Sequence, residues 1–367
     1  MANIPYLLEN IENKIEYPLE RLGNVDHMIY FDIETTGFSR KYCMVYMIGC
    51  MYFVNGEPIY TQWVAENAND EANVLMAFHK FIQNYKIIIH FNGNTFDMPF
   101  LKERGEKYNI NFDFNSFESI DIYKTVKKYS DLLKLENNKQ KTYEDFLGIK
   151  RNDPFSGGDL IEVYKEFMRT HDEMLVFPLL LHNKEDVWYM GTLTSLLSLN
   201  DFFEGNYTLN SYEIRDYKSI DGIIGKELYI NLDLDVYAPF TVTKKTDYIY
   251  FRLNGNNAQI TIISPHLLLK YFFKNYKDYY YLPEEDITIH KDVATYVDKN
   301  HRIQATASNC FTKVTDNFLP IFSVKSPDFN QIFIENYGEK NGFIQLESIK
   351  DEDCVLKYVN CILDYLY

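Results

Sequence analysis

The sequence predicts a mixed α/β sheet flanked by helices, followed by a separate α+β module. Three observations carry this expectation. Strand-like runs open the chain as "MIYFDIET", "CMVYMIGCMYFV" and "EPIYTQWVA"; helical periodicity then alternates with the short apolar run "KIIIHF"; and strand alternation returns after about residue 205. A chain of 367 residues, 46% hydrophobic and 25% charged, is globular in composition and longer than one typical domain. The expected division is an N-terminal helical segment over 1–25, the mixed-sheet domain over 26–204, and the α+β module over 205–367.

Taken in order, residues 4–22 have the pattern of a helix. In the strand over 28–34, Ile29, Phe31 and Ile33 share one face while Asp32 and Glu34 share the other. The glycine in "VNGEP" predicts a tight hairpin between the next two strands, so three antiparallel strands begin the domain. A helix over 71–85 places Val74, Leu75, Phe78, Phe81 and Ile82 at helical spacing, and "KIIIHF" has the continuous apolar character of a strand covered on both faces. Helix, strand and further helices follow to about 200. Beyond 205, "ELYINLDLDV" alternates as a strand and "DYIYFRLNGNNAQITIIS" predicts a hairpin turning at Asn-Gly. "PHLLLKYFFKNY" predicts a helix, and a terminal amphipathic helix carries Val355, Tyr358, Val359, Ile362 and Leu366.

The opening segment lacks the basic and apolar regions of a secretory signal, and no apolar run approaches the roughly 18 residues of a membrane span. Five cysteines form neither a C-x-x-C pair nor a disulfide framework, so the expectation is a cytoplasmic protein with no membrane partner. A net charge of -16 argues against nonspecific coating of nucleic acid. A protein touching a few nucleotides needs only a local basic patch. The segment 124–151 offers one, with Lys127, Lys128 and Lys141 among its cations, although a solvated helical face has the same pattern.

Asp32 and Glu34 are neighbouring anions beside a core, an arrangement that a cation relieves. Asp97, in "HFNGNTFDMPFL", follows the buried strand where a loop turns into a helix; the end of a buried strand is a common ligand site, but taken alone Asp97 reads as a helix cap. His182 and Asp186, in "LLLHNKEDVWYM", lie four apart within an apolar helical stripe and therefore point inward, as a metal-site pair or as a satisfied core pair.

Together the three motifs resemble the acidic quartet of the DEDD exonucleases of the ribonuclease H-like superfamily. "FDIETTG" resembles the first exonuclease motif, and "NGNTFD" the second, N-x-x-x-F-D, which includes Asn92 and Phe96. "HNKED" resembles the third, but as H-x-x-x-D it joins the histidine of one subtype to the spacing of the tyrosine subtype. With "YMIGC" and "EDFLGIKR", the order is most similar to the bacterial YprB-type ribonuclease H-like group, over roughly residues 25–200. The resemblance implies an α/β ribonuclease H-like mixed sheet and a 3′-5′ exonuclease. It also implies Asp32 as a bridging metal ligand, with Glu34, Asp97 and Asp186 completing two coordination shells, and Thr35 and Thr36 bordering the terminal nucleotide.

Hydrolysis of a phosphodiester needs an activated water and neutralisation of charge on the phosphate, and two metal ions supply both. An all-carboxylate set suits Mg²⁺ or Mn²⁺ better than zinc. His182, one turn before Asp186, is the candidate acceptor of the water's proton. Asp121, in "SIDIYK", is a candidate supporting acid or a cap. The expected partner is a nucleic acid with a free 3′ end, DNA or RNA, with the C-terminal module available for a protein partner. The alternatives are a catalytically silent nucleic-acid or partner-binding protein, and a structure-selective endonuclease sharing the same metal site.

Overall fold

β1 (Met28–Thr35) lies at the middle of a five-stranded sheet of order β3-β2-β1-β4-β5. The computed structural model describes residues 14–218, 224–323 and 329–367. β2 (Val45–Val54) pairs antiparallel with β1, and β3 (Glu57–Val64) antiparallel with β2. Asn55 and Gly56 join the last two with φ of 55° and 81°, the double left-handed turn whose twist matches a two-residue hairpin. α1 (Glu71–Ile82) then returns the chain, so that β4 (Ile87–His90) and β5 (Glu118–Asp121) join β1 in parallel on its other side. The antiparallel opening and the mixed sheet are as the sequence predicts, and the parallel pairing of β4 and β5 is what makes the sheet mixed.

The remaining elements of this unit are α2 (Asp97–Lys107), α3 (Ile122–Val126), α4 (Gln140–Phe146), α5 (Gly157–Thr170), α6 (Val176–Leu193) and α7 (Leu197–Phe203). α1 buries Val74, Leu75, Phe78 and Ile82 in a core shared with Ile29, Phe31 and Ile33 of β1 and with Leu160 and Tyr164 of α5. A core phenylalanine such as Phe78 contributes on the order of 3–5 kcal/mol by truncation to Ala. α6 packs against β1 and β2, and its burial extends almost around the helix. The helix expected over 4–22 lies largely outside the described residues; within them only the 3-10 turn Leu19–Arg21 forms.

Two compact units divide the described residues. One runs to Glu204 and takes in Val236–Phe240, and the other comprises Gly205–Asp235 and Thr241–Tyr367. The second unit is rich in sheet. β6 (Tyr207–Lys218), β7 (Ile224–Lys245) and β8 (Ile249–Ser264) form one sheet in that order. β9 (His266–Phe272), β13 (Phe311–Ile321) and β14 (Gly342–Gln345) form another with β13 central. β10 (Tyr279–Leu282) lies between β11 (Ile287–His290) and β12 (Ile303–Gln304). The helices are α8 (Lys291–Ala294) and α9 (Glu352–Leu363), the latter capped by Asp351, which accepts from Cys354 N at 2.9 Å. Val355, Tyr358, Val359, Ile362 and Leu366 are all buried, as their periodicity predicts.

Two expectations for this unit are corrected. "RLNGNNAQ" does not turn; β8 runs straight through it. Residues 249, 251 and 253 point inward before Gly255, and 258, 260, 262 and 264 after it, so the buried face changes parity there. Gly255, at φ 62°, absorbs the slip that residues with a Cβ rarely accommodate. "PHLLLKYFFKNY" is not helical either. Its leucines pair residue by residue with β13, from His266 opposite Asn317 to Phe272 opposite Phe311, and this long-range pairing decides an apolar run that is locally ambiguous. Among the described residues, no helix is long and apolar enough to cross a membrane.

Candidate functional site

Asp32 of β1 stands opposite Gly49 of β2. A Cβ on Gly49 would lie 2.1 Å from Asn183 Oδ1 and 2.7 Å from the Tyr60 hydroxyl, so its absence lets α6 approach the sheet. Through that opening Asn183 Nδ2 donates to Asp32 Oδ2 at 3.3 Å, while Tyr60 donates to Asn183 Oδ1 at 3.1 Å. Asp97 is the first residue of α2, and its Oδ1 accepts from Ile33 N at 3.2 Å, drawing the helix start onto β1. On α6, His182 Nε2 lies 3.3 Å from Asp186 Oδ2 and 3.8 Å from Glu34 Oε1. Asp32, Glu34, Asp97, His182 and Asp186 therefore converge where β1, α2 and α6 meet.

The electrostatics are those of crowded anions. Burial pushes the Asp32 carboxyl well up, and Asp97, Asp186 and Glu34 push it further. Glu34 is raised to about 7 by burial, with His182 opposing, and Asp97 to about 7, also by burial. Asp186 goes the other way: burial raises it, but the charges of Arg151 and His182 outweigh burial and hold it low. Burial depresses His182, yet Asp186, Asp153 and Glu34 together hold it up at about 9. Among the described residues of the site, Glu34 Oε1 is buried with no hydrogen-bond partner, and Arg151 Nη1 has only its ion pair with Asp186. A lone buried carboxylate oxygen among mutually raised acids is what a divalent cation would satisfy.

The loop between α4 and α5 contributes residues that sequence reasoning missed or misplaced. His182 Nδ1 donates to Asp153 Oδ2 at 2.5 Å, and Asp153 also accepts from Lys141 Nζ at 3.0 Å and from Phe155 N at 3.0 Å. Burial opposes ionisation of Asp153, but these donors win and lower it to about 2. Arg151 pairs Nη1 with Asp186 Oδ1 and donates from Nε to Glu144 Oε2 at 2.5 Å. Glu185, fully buried on α6, accepts from Asn152 N at 2.9 Å and Asp153 N at 3.0 Å, which fixes the loop. Arg151, the last cation of the 124–151 segment, is buried against Asp186 and Glu144, which a count of charges does not show. No periodic or motif signal marks Asp153, Asn183 or Glu185.

The other predicted residues have local roles. Thr35 Oγ1 donates to Gly37 O at 2.9 Å, and Thr36 Oγ1 accepts from Met44 N at 3.0 Å, shaping the loop after β1. Asn92, at φ 66°, forms the turn into α2, its N–H donating to Asp121 Oδ1 at 2.9 Å. Asp121 also caps α3 by accepting from Lys124 N at 3.1 Å. Phe96 packs on Phe100 and Phe38, with ring centres 5.4 and 6.4 Å apart. Lys141 reaches the site through Asp153. Lys127 and Lys128 are exposed on the turn after α3, Lys128 Nζ standing 3.6 Å from Glu204 Oε1.

Residues 29–198 match the family model described as the RNase_H superfamily. No curated protein matches the chain. Among solved structures, E. coli exonuclease I in complex with a dT13 oligonucleotide is 11% identical with a TM-score of 0.34, the match covering 56% of this chain and 54% of that one. The zinc-bound form of an E. coli exonuclease I–single-stranded DNA complex is 11% identical with a TM-score of 0.28, over 56% and 54% of the two chains. This chain thus spans about half the length of those it matches. Sheet order, flanking helices and the family match give residues 29–198 a ribonuclease H-like fold.

Proposed function

We propose that this protein is a divalent-metal-dependent nuclease that removes nucleotides from the 3′ end of a nucleic acid. The observation that carries the reading is the convergence of Asp32, Glu34, Asp97 and Asp186 beside a buried, unpartnered Glu34 oxygen. Those four carboxylates would hold two Mg²⁺ or Mn²⁺ ions. When bound, the ions supply charge neutralisation at the phosphate and acidify water.

The chain's own residues set up the rest. Asp153 holds His182 from Nδ1, so that Nε2 faces Asp186 and Glu34, where the neutral imidazole is placed to take the proton of an attacking water. The Asn183 side-chain amide orients Asp32, and the backbone N of Ile33 orients Asp97, which fixes two carboxylates. Arg151 compensates one oxygen of Asp186. Thr35, Thr36, Asn92 and Phe96 border the approach from the loops after β1 and before α2, Lys127 and Lys128 are the cations offered to phosphates, and Lys141 supports Asp153. The polarity of attack follows from the DEDD-type resemblance of the three motifs.

The test is incubation of end-labelled single-stranded DNA and RNA with Mn²⁺, beside the Asp32→Asn variant. A ladder shortening from the 3′ end, lost in Asp32→Asn at unchanged fold, is the expected result. Absence of cleavage on both substrates, in Mn²⁺ and in Mg²⁺, would overturn the reading.

A further inference from the structure

We propose that Glu34, His182 and Asp186 form a site for a transition-metal cation of the zinc class, and that zinc held there blocks the hydrolysis supported by magnesium or manganese. The site stands on geometry alone; the blocking role rests on the nuclease reading. One ligand atom from each residue lies within 4.8 Å of the others. His182 Nε2 is 3.3 Å from Asp186 Oδ2 and 3.8 Å from Glu34 Oε1. Donors 2.0–2.2 Å from a four-coordinate zinc stand about 3.3–3.6 Å apart, so only a small closing movement is needed.

Each donor is prepared for this. Asp153 Oδ2 accepts from Nδ1 at 2.5 Å, which turns Nε2 toward the carboxylates; a cation displacing the Nε2 proton would complete a carboxylate–histidine–metal arrangement. Arg151 occupies Asp186 Oδ1 and leaves Oδ2 facing the imidazole. Glu34, only 8% exposed, aims an unpartnered oxygen into the same space. Magnesium takes oxygen donors and gains little from an imidazole, whereas zinc binds a mixed nitrogen and oxygen set more tightly than manganese does. His182 is therefore the donor that discriminates between cations. Binding there consumes the lone pair assigned to the water's proton and withdraws two of the four carboxylates.

Calorimetric titration of the metal-free full chain with Zn²⁺ and separately with Mg²⁺, without nucleic acid, tests the site. One Zn²⁺ should bind at least about 100-fold more tightly than Mg²⁺, and His182→Gln should weaken Zn²⁺ by about 100-fold while leaving Mg²⁺ unchanged. Equal Zn²⁺ affinity in parent and His182→Gln would overturn the site. If that variant does not fold, Asp153→Asn decides: a loss of about 10- to 100-fold in Zn²⁺ affinity supports the site, and no loss overturns it. Cleavage in saturating Mg²⁺ with added Zn²⁺ tests the block; full activity with the site filled overturns it. Absence of cleavage in any metal removes the nuclease reading and the block with it, while calorimetry still judges the site.

Discussion

His182 and Asp153 share a 2.5 Å hydrogen bond from Nδ1 to Oδ2, and through it a loop residue sets which imidazole nitrogen faces the acidic cluster. Asp153→Asn keeps the shape and removes the anion. Because the Asp153 carboxylate helps hold His182 up at about 9, the histidine in metal-free protein should titrate lower in the variant, seen in its ring proton resonances. Cleavage should slow by about 10- to 100-fold. An unchanged titration would assign the high value to Asp186 and Glu34 alone.

The metal-free protein should lose stability as pH rises. Glu34 and Asp97 titrate near 7 when folded, above their ordinary values of 4.5 and 3.8, so the folded state binds more protons between those limits. Their contribution is present at low pH and is lost as pH passes through about 7. His182, raised from 6.5 to about 9, has the same sign over its own window. Melting temperature should therefore fall from pH 5 to pH 8 in chelator, by roughly 2–4 °C for each kcal/mol involved. Added Mn²⁺ should restore it most at pH 8. A flat profile in chelator would show that the acids relax apart without metal.

Gly49→Ala should act on the site without changing any charge. The new Cβ would displace Asn183 Oδ1 or Tyr60, so the bond from Asn183 to Asp32 should loosen. Overpacking of this kind costs about 1–3 kcal/mol, read as a lower denaturant midpoint with unchanged m-value. Activity should fall by more than stability predicts, since a metal ligand loses its support. Parental stability and activity together would show that α6 yields freely here.

Neutralising Lys127 and Lys128 separates surface electrostatics from site geometry. If they meet phosphates, each lost contact should reduce the logarithmic salt slope of single-strand binding by about 0.7. Lys141→Gln should instead disturb Asp153, which its ammonium holds at 3.0 Å, and so change the cleavage rate more than the salt slope. Identical slopes for parent and the double variant would make Lys127 and Lys128 ordinary surface charges.

Much of the first unit was legible because its signals are local. Alternation in "MIYFDIET" separates Phe31 and Ile33 from Asp32 and Glu34, and the structure keeps that separation, core on one side and α6 on the other. The hairpin at Asn55–Gly56 follows from backbone conformations those residues favour. Asp153 and Glu185 were illegible for the opposite reason: a buried carboxylate clamping a loop 32 residues away leaves no periodic trace. β9 and β8 failed on tertiary pairing and on a single left-handed glycine, since a leucine run and an Asn-Gly step each have two local solutions.

Glu185 grips the backbone of Asn152 and Asp153, one residue before Asp186 and three after His182 on the same helix. Rocking of α6 against the sheet would consequently carry Arg151 and Asp153 along with the two side chains they support, preserving the internal spacing while changing the distance to Asp32. The helix and its captive loop behave as one jaw and the strand as the other. Grafting the chemistry onto another scaffold would then require residues 151–153 together with 182–186, because the second segment alone would arrive without the parts that aim it.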